Sequence, residues 1–308
     1  MTRNDPDRRP APATGATRAG FIALAGRPNV GKSTLVNAIV GRKIAIVSDK
    51  PQTTRRAIRG VATSDDAQLV LVDLPGVQRP RDPLTTRMQR RVESELRDCD
   101  AALMLLNGEE GVGPGDRFIA AALSEAKATV VIALNKCDRL DKAATVSALM
   151  AAAQLGVADD IFPISAKTSL GVFALTQHLR ELVPEGPFLF PADDASDQSE
   201  NVLLAELVRE QVLRRTFQEV PHSVEVMIDD IEETREDLTR IRAMVWVETE
   251  SQKGILIGSG GKMIKAIGMA ARKELQRELG VQVHLDLSVR VRKGWRADDR
   301  MLDRLGIQ

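Results

Sequence analysis

"GRPNVGKST", residues Gly26–Thr34, has the spacing G-x-x-x-x-G-K-S, with Gly26, Gly31, Lys32 and Ser33 at the fixed positions. The pattern by itself is a weak signal, and its flanks decide what it means. Before it stands Phe21-Ile22-Ala23-Leu24-Ala25, a short apolar run with the character of a buried strand. After it, Leu35-Val36-Asn37-Ala38-Ile39-Val40 has helical spacing and stops at Gly41. Strand, loop and helix in that order are what a phosphate-binding loop needs. Glycines let the backbone close on phosphate oxygens, successive N–H groups point inward, and the helix N-terminus adds the positive end of its dipole. Lys32 is placed to reach the β- and γ-phosphates, and the Ser33 hydroxyl to hold Mg²⁺.

The chain around this loop has 308 residues, enough for two domains, and 43% of them are apolar, enough for a sizeable core. Lys+Arg and Asp+Glu number 43 each, so the net charge is zero and any nucleic-acid surface has to be local. Two cysteines, Cys99 and Cys137, argue against a disulfide framework or a cysteine metal site and suit a reducing cytosol. His178, His222 and His284 are far apart and lack metal-ligand spacing. The first twenty residues carry Arg3, Arg8, Arg9, Arg18 and three prolines with almost no bulky apolar side chain, so a disordered tail is expected over 1–18. No apolar stretch follows those arginines before Phe21, and no run is long enough to span a bilayer.

Apolar strands then alternate with helices. Strands are expected over Ala57–Thr63, Gln68–Val72, Ala101–Asn107, Thr129–Asn135 and Ile161–Ile164, and helices over Pro83–Asp98, Asp116–Ala126, Ala143–Leu155 and Leu170–Leu182. This order indicates an α/β domain over 19–184 with a mainly parallel sheet buried on both faces. Residues 185–200, rich in proline and acids, read as a linker. The remainder, 201–308, reads as a small α+β domain with a C-terminal tail. Its expected order is helix (Asn201–Arg215), strand (Val224–Asp230), strand (Arg240–Thr249), glycine loop, helix (Lys262–Leu279) and strand (Val281–Arg292).

A nucleotide loop asks for further pieces. The run Gln68–Val72 leads into Asp73-Leu74-Pro75-Gly76-Val77. Asp73 would help hold Mg²⁺, and the Gly76 N–H would meet the γ-phosphate; alone, this is also an ordinary strand-end turn. Asn135-Lys136-Cys137-Asp138 ends another apolar strand. The Asp138 carboxylate can accept two parallel hydrogen bonds from guanine N1–H and its exocyclic amine, a donor pair that adenine lacks. Lys136 would lie along the base plane. In Ser165-Ala166-Lys167, the Ala166 N–H could bond guanine O6. With these pieces in order, the chain resembles the translation-factor-like GTPases. The resemblance places "PQTTRR" in their first switch, with Thr54 on Mg²⁺ and Thr53 the lesser candidate. Val77 stands where many signalling GTPases have a water-orienting Gln, so slow intrinsic hydrolysis is expected. Asn29 is either a K⁺-binding side chain, as in related GTPases with Asn there, or a loop stabiliser.

In the second domain, "KGILIGSGGKMIKAIG" (Lys253–Gly268) carries a G-x-x-G, Gly258-Ser259-Gly260-Gly261, between an apolar turn (Ile255–Ile257) and an amphipathic helix. In KH domains such a loop clamps the backbone of about four nucleotides. Ten Lys/Arg lie between Gln252 and Arg296 (Lys253, Lys262, Lys265, Arg272, Lys273, Arg277, Arg290, Arg292, Lys293 and Arg296) against three acids. Such a local basic face suits RNA phosphates. The element order suits the type II KH arrangement. The candidate RNA contacts are Lys253, Ile257, Gly258, Ser259, Gly260, Gly261, Lys262 and Lys265.

From about Gly20 to Leu305 the chain resembles the Era family of bacterial GTPases, through "GRPNVGKSTLVNAIVG", "PQTTR", "DLPGV", "NKCD", "SAK", "GILIGSGGKMIKAIG" and "VRKGWR". The resemblance implies binding of GTP and GDP with Mg²⁺, and GTP hydrolysis. It further implies binding near the 3′ end of small-subunit ribosomal RNA, a role in assembly of the 30S subunit, and peripheral contact with the inner face of the cell membrane. The implied nucleotide residues are Gly26, Arg27, Pro28, Asn29, Val30, Gly31, Lys32, Ser33, Thr34, Asp73, Leu74, Pro75, Gly76, Val77, Asn135, Lys136, Cys137, Asp138, Ser165, Ala166 and Lys167. Lys32, Thr54 and Gly76 are the catalytic candidates, and Ser33, Thr54 and Asp73 the metal ligands. Many members have Thr at the place of Leu74 and a basic residue at the place of Ser259, which here removes one phosphate contact. A cytoplasmic monomer is expected. The runner-up is a signalling GTPase whose second domain binds a protein or an anionic membrane surface.

Overall fold

The computed structural model describes residues 17–50, 53–76, 82–126, 129–217 and 220–307. The first domain runs β1 (Arg18–Ala25), α1 (Lys32–Val40), β2 (Ile58–Thr63), β3 (Ala67–Asp73), α2 (Pro83–Asp98), β4 (Ala101–Asn107), α3 (Pro114–Glu125), β5 (Thr129–Asn135), α4 (Lys142–Ala153), β6 (Asp160–Pro163) and α5 (Val172–Leu182). Its sheet has the order β2-β3-β1-β4-β5-β6, and only β2 is antiparallel to its neighbour. The runs "AQLVLVD" and "AALMLLN" are buried at every position because helices cover both faces. On one face Leu35, Leu175 and Leu179 pack against Ile22, Leu24 and Leu71. On the other, Val92, Ile119 and Leu123 pack against Ala23, Val72 and Met104.

The expected elements form, with shifts at their ends. β1 begins at Arg18, inside the expected tail, because the Arg18 N–H donates to Asp66 O and its guanidinium to Glu181 O and Val183 O. The tail itself, 1–16, lies outside the described residues, as does Val77. The 185–200 connection is laid along the sheet edge as a strap. The Val61 N–H donates to Ala195 O, Ser196 Oγ to Arg59 O, and the Gln68 amide grips Leu189 and Phe190. An edge strand covered in this way offers no free ladder to another chain.

The second domain runs α6 (Glu200–Arg215), α7 (Val220–Ser223), β7 (Glu225–Arg235), β8 (Leu238–Val247), α8 (Glu250–Ile257), α9 (Lys262–Leu279), β9 (Gln282–Val291) and α10 (Asp299–Arg304). β8 is antiparallel to β7 and parallel to β9. Two expectations are corrected here. Ile255–Ile257 is the last turn of a helix, not an apolar turn, since Thr249 and Gln252 form a capping box that starts α8. The C-terminal segment is folded as well. Trp295, Met301, Leu302, Leu305 and Ile307 are buried against Leu84 and Met88 of α2, which joins the two domains.

Candidate functional site

The four loops singled out in the first domain leave the carboxyl ends of β1, β3, β5 and β6, where open α/β sheets hold ligands. They meet around a cavity of about 550 Å³, the size of a small-molecule site. Pro28, Asn29, Gly31, Lys32, Ser33 and Thr34 form its floor, with Thr54 and Gly76 beside them. Asn135, Lys136, Asp138, Ser165, Ala166 and Lys167 close its other end. A further wall, Ile46, Val47, Ser48, Asp49 and Lys50, was not legible as a site, since the sequence shows only a polar stretch there.

Lys32 starts α1 and is 6% exposed; its ammonium donates to Gly26 O at 3.0 Å and Arg27 O at 3.2 Å. Burial pushes its pKa down to about 8, and the nearby Asp73 opposes that shift. Asp73 is fully buried, and burial raises its pKa against the influence of Lys32, Ser33 and Thr54. Ser33 Oγ donates to Asp73 Oδ2 at 2.6 Å; Thr54 Oγ1 lies 3.1 Å from Ser33 Oγ and 3.4 Å from Asp73 Oδ2. Asp73 Oδ1 is buried with no hydrogen-bond partner among the described residues. One carboxylate with an unsatisfied oxygen and two hydroxyls make an all-oxygen set. That set fits Mg²⁺, which prefers few protein ligands and keeps waters. Thr53 is engaged elsewhere, its hydroxyl donating to Lys50 O at 2.6 Å, so Thr54 is the ligand candidate.

Asn135 binds the loops to one another. Its Nδ2 donates to Val30 O at 2.8 Å, and its Oδ1 accepts the Ala166 N–H at 2.9 Å. The Ala166 N–H, which the sequence offers to guanine O6, is held here by Asn135 at the end of the cavity. Gly31 has φ 104°, and a Cβ there would stand 2.3 Å from Asn135 Nδ2, so the strut requires glycine at that position. Gly76 is needed for approach, since its Cβ would lie 2.9 Å from Pro28 Cγ and 3.0 Å from Pro28 N. Asn29 Nδ2 donates to Asp49 O at 2.7 Å, which pins the first-switch stretch to the phosphate loop.

Several assigned residues stand behind the cavity wall. The Arg27 side chain turns away to Asp116 and Glu110, each at 2.9 Å, so only its backbone can face a phosphate. Val30 and Leu74 sit in the two cores, and the Cys137 thiol donates to Leu134 O. Asp138 is exposed at the cavity rim.

The second candidate surface lies on α8, α9 and β9. Gly258, Gly260 and Gly261 have φ of 71°, 57° and 78°, and the loop leads straight into α9. A Cβ on Gly258 would press on Met263 at 2.7 Å, whereas Gly260 and Gly261 have open space. Ser259, Lys262 and Lys265 are exposed, as is Ile257, while Lys253 is partly buried. A groove of about 310 Å³ runs along α9. It is lined by Ile264, Lys265, Gly268, Met269 and Arg272, and by His284, Leu285 and Leu287 of β9. Of the residues assigned from sequence only Lys265 lines it. The others needed the pairing of α9 with β9, which no local pattern reveals. Among the described residues, three of the ten cations are committed within the protein: Arg277 to Glu274, Arg292 to Asp298, and Arg296 to Asp82 of the first domain.

Residues 21–136 match a protein family described as 50S ribosome-binding GTPase, and residues 219–296 match the KH domain family. GTPase Era of Mycobacterium tuberculosis is 44% identical over 294 residues, covering 94% of this chain and 98% of that protein. GTPase Era of Lactobacillus helveticus is 43% identical over 289 residues, covering 94% and 96%. Among solved structures, a variant of Aquifex aeolicus Era bound to GDP·AlF₄⁻ superposes with a TM-score of 0.90 at 32% identity, covering 94% of this chain and 99% of that one. Era in complex with MgGDPNP and nucleotides 1506–1542 of 16S ribosomal RNA superposes with a TM-score of 0.91 at 32% identity and the same coverage.

Proposed function

The chain belongs to the Era family of GTPases, and from that premise we propose that it is a GTP-hydrolysing switch that holds the 3′-terminal region of 16S ribosomal RNA and acts in assembly of the 30S subunit. The observation that carries the enzymatic half is the meeting of Ser33, Thr54 and Asp73 within 3.4 Å, beside Lys32, at one end of a cavity whose other end holds Asp138.

In this reading, loop N–H groups and Lys32 hold the β- and γ-phosphates. Ser33 and Thr54 offer hydroxyl oxygens to the metal, and Asp73 offers carboxylate charge. Mg²⁺ bound there supplies neutralisation of charge developing on the phosphoryl oxygens. The Gly76 N–H meets the terminal phosphate, and Asp138 selects guanine. Val77 has no polar atom to orient water, so the intrinsic rate is slow. K⁺ is a second ion for this site. The Asn29 amide nitrogen is committed to Asp49 O, which leaves its oxygen as the ligand atom.

The RNA half rests on the glycine loop, on Lys253, Lys262 and Lys265 around it, and on the α9–β9 groove, which would take bases while the loop takes phosphates. Domain limits at 19–184 and 201–308 follow, with 185–200 as the strap. No helix among the described residues is long and apolar enough to cross a membrane; contact with the inner membrane face is peripheral in this proposal. The test is affinity for the 3′-terminal 16S fragment, measured with a non-hydrolysable GTP analogue and with GDP. Tighter binding in the triphosphate form is expected. Indifference to guanine over adenine nucleotides, or to this RNA in every loaded form, sinks the reading.

A further inference from the structure

Between α1 and β2, Ile44 and Ala45 pack in the first domain's core, but Lys43, Ile46, Val47 and the residues Thr53, Arg55 and Arg56 are held by the second domain. Ile46, 1% exposed, is packed in that domain's core with Leu204, Leu207 and Val208 of α6. The Val47 N–H donates to Glu210 Oε1 at 3.0 Å. Lys43 Nζ donates to Glu210 at 2.6 Å and to Glu274 of α9 at 3.4 Å.

Nearer the metal site the grip tightens. On one side of Thr54, the Thr53 carbonyl accepts from Arg209 Nη2, and Arg209 is itself paired with Glu206 at 2.5 Å. On the other side, Arg55 is 2% exposed and donates to Glu225 at 2.8 Å and to the Val224, Pro221 and His222 carbonyls. Arg56 follows, donating to Glu206 at 2.6 Å, Glu225 at 3.3 Å and Leu305 O at 2.6 Å. The residues flanking Thr54 are thus fastened to the second domain, while its own hydroxyl reaches Ser33 and Asp73 of the first.

Two buried arginines and two buried glutamates, joined by the partly buried Arg56, are a costly way merely to dock two domains, because desolvation offsets most of the attraction. What such a network does supply is a single register. We infer that Arg209, Glu206 and Glu225 are positioning residues for GTP hydrolysis: the second domain holds Thr54 at the distance from Ser33 and Asp73 that the metal-bound triphosphate needs. This rests on the reading of Thr54 as a Mg²⁺ ligand. It also supplies a physical route between the two sites. α6 carries Glu206, Arg209 and Glu210 on the switch side and packs on α9, whose N-terminus is the glycine loop. Coupling of this kind is reciprocal, so RNA held at the loop and triphosphate held at Thr54 favour each other.

The experiment uses the full chain with Arg209→Met, Arg209→Lys and the double variant Glu206→Leu/Arg209→Met, which removes the helix pair without leaving its carboxylate behind. Single-turnover hydrolysis is measured across Mg²⁺ concentrations, alongside GTP and GDP affinities from fluorescent analogues. Expected for Arg209→Met and the double variant is a fall in rate of about tenfold or more, with a raised Mg²⁺ requirement. GDP affinity should stay within about twofold, because Thr54 meets the metal only when the γ-phosphate is present. Arg209→Lys, which keeps a charged donor for the Thr53 carbonyl, should recover part of the rate. If Arg209→Met does not fold, the double variant decides. An unaltered rate, or a parallel loss of GTP and GDP affinity with no change in Mg²⁺ requirement, overturns the inference. Thr54→Ala in the wild-type background separates the two claims. If it hydrolyses normally, the reading of Thr54 is lost; if it is slow while the Arg209 variants are not, only the positioning role is lost.

Discussion

In the first glycine loop a Cβ on Gly31 would stand 2.3 Å from Asn135, and Lys32 is 6% exposed. In the second, Gly260 and Gly261 have no described atom within 4 Å of a Cβ position, and Ser259 and Lys262 face solvent. Both loops place a left-handed glycine just before a helix N-terminus, a geometry that suits close approach of phosphate. They differ in enclosure. A loop that must hold a small nucleotide and a metal is locked from behind by Asn135, Asp73 and Arg27, so its donors are in place before the ligand arrives. A loop that must grip a polymer of many phosphates stays open, and draws its strength from nearby cations and from the α9–β9 groove. Side chains added to the first should therefore collide with packed atoms, whereas side chains added to the second meet open space and act through backbone conformation and charge.

The largest expected effect lies at the first site's rim. Asp138→Asn removes an acceptor pair for guanine, and GTP affinity should fall by about 10³-fold or more while xanthine nucleotides gain; unaltered preference in a competition assay would remove Asp138 from the base site. Next is Gly31→Ala, which meets Asn135 and carries a left-handed φ. It should cost about 2–3 kcal/mol in nucleotide binding or stability, seen in GDP titration and thermal melting. Intact binding would break the idea of a loop locked from behind.

At the second loop, Gly261→Asp meets no neighbouring atom, but it takes a left-handed φ of 78° and brings a negative charge to the RNA face. RNA affinity should drop roughly 10–100-fold by repulsion and lost phosphate contact, with GTP binding unchanged; a filter-binding assay reads both. The converse, Ser259→Lys, should raise RNA affinity about fivefold and steepen the salt dependence by roughly one unit of slope. A flat response would mean that this loop, too, is limited by geometry.

The smallest effect is a proton. Lys32 has a pKa near 8 in the ligand-free protein because it is buried. Phosphate beside it favours the charged form, so binding takes up protons above that pH and affinity falls as pH rises through 8. The loss should not exceed about tenfold per pH unit. Calorimetry of GDP binding without Mg²⁺, in two buffers of different ionisation enthalpy at pH 8, measures the uptake; release of protons instead would contradict the burial argument.

Much of this was legible in advance where local pattern and local structure coincide. The run "TVVIALN" became β5 over the expected residues, and "KMIKAIGMAARKELQREL" became α9, because each carries its own period and its own stop signal. The capping box at Thr249 is a local signal too, but the strand pattern of Arg240–Thr249 runs into it. Other features had no local signature. Nothing in "IAIVSDK" announces that Ile46 enters another domain's core, or that Arg55 and Arg56 are two halves of an ion network. Trp295 and Leu302 have no local signal that points to α2 as the surface they pack on.

The amino-acid order on its own determined the strand–loop–helix joints, the two glycine grips, the guanine-reading motif and the division into an α/β and an α+β domain. Those depend on interactions within a few residues and on periods of two and 3.6. Only the tertiary structure decided that Asn135 serves as strut, that the α9–β9 groove exists, and that the second domain grips the residues on either side of Thr54. Each joins residues far apart in the chain, and burial of a charge or an apolar side chain is set by whatever surface folds against it.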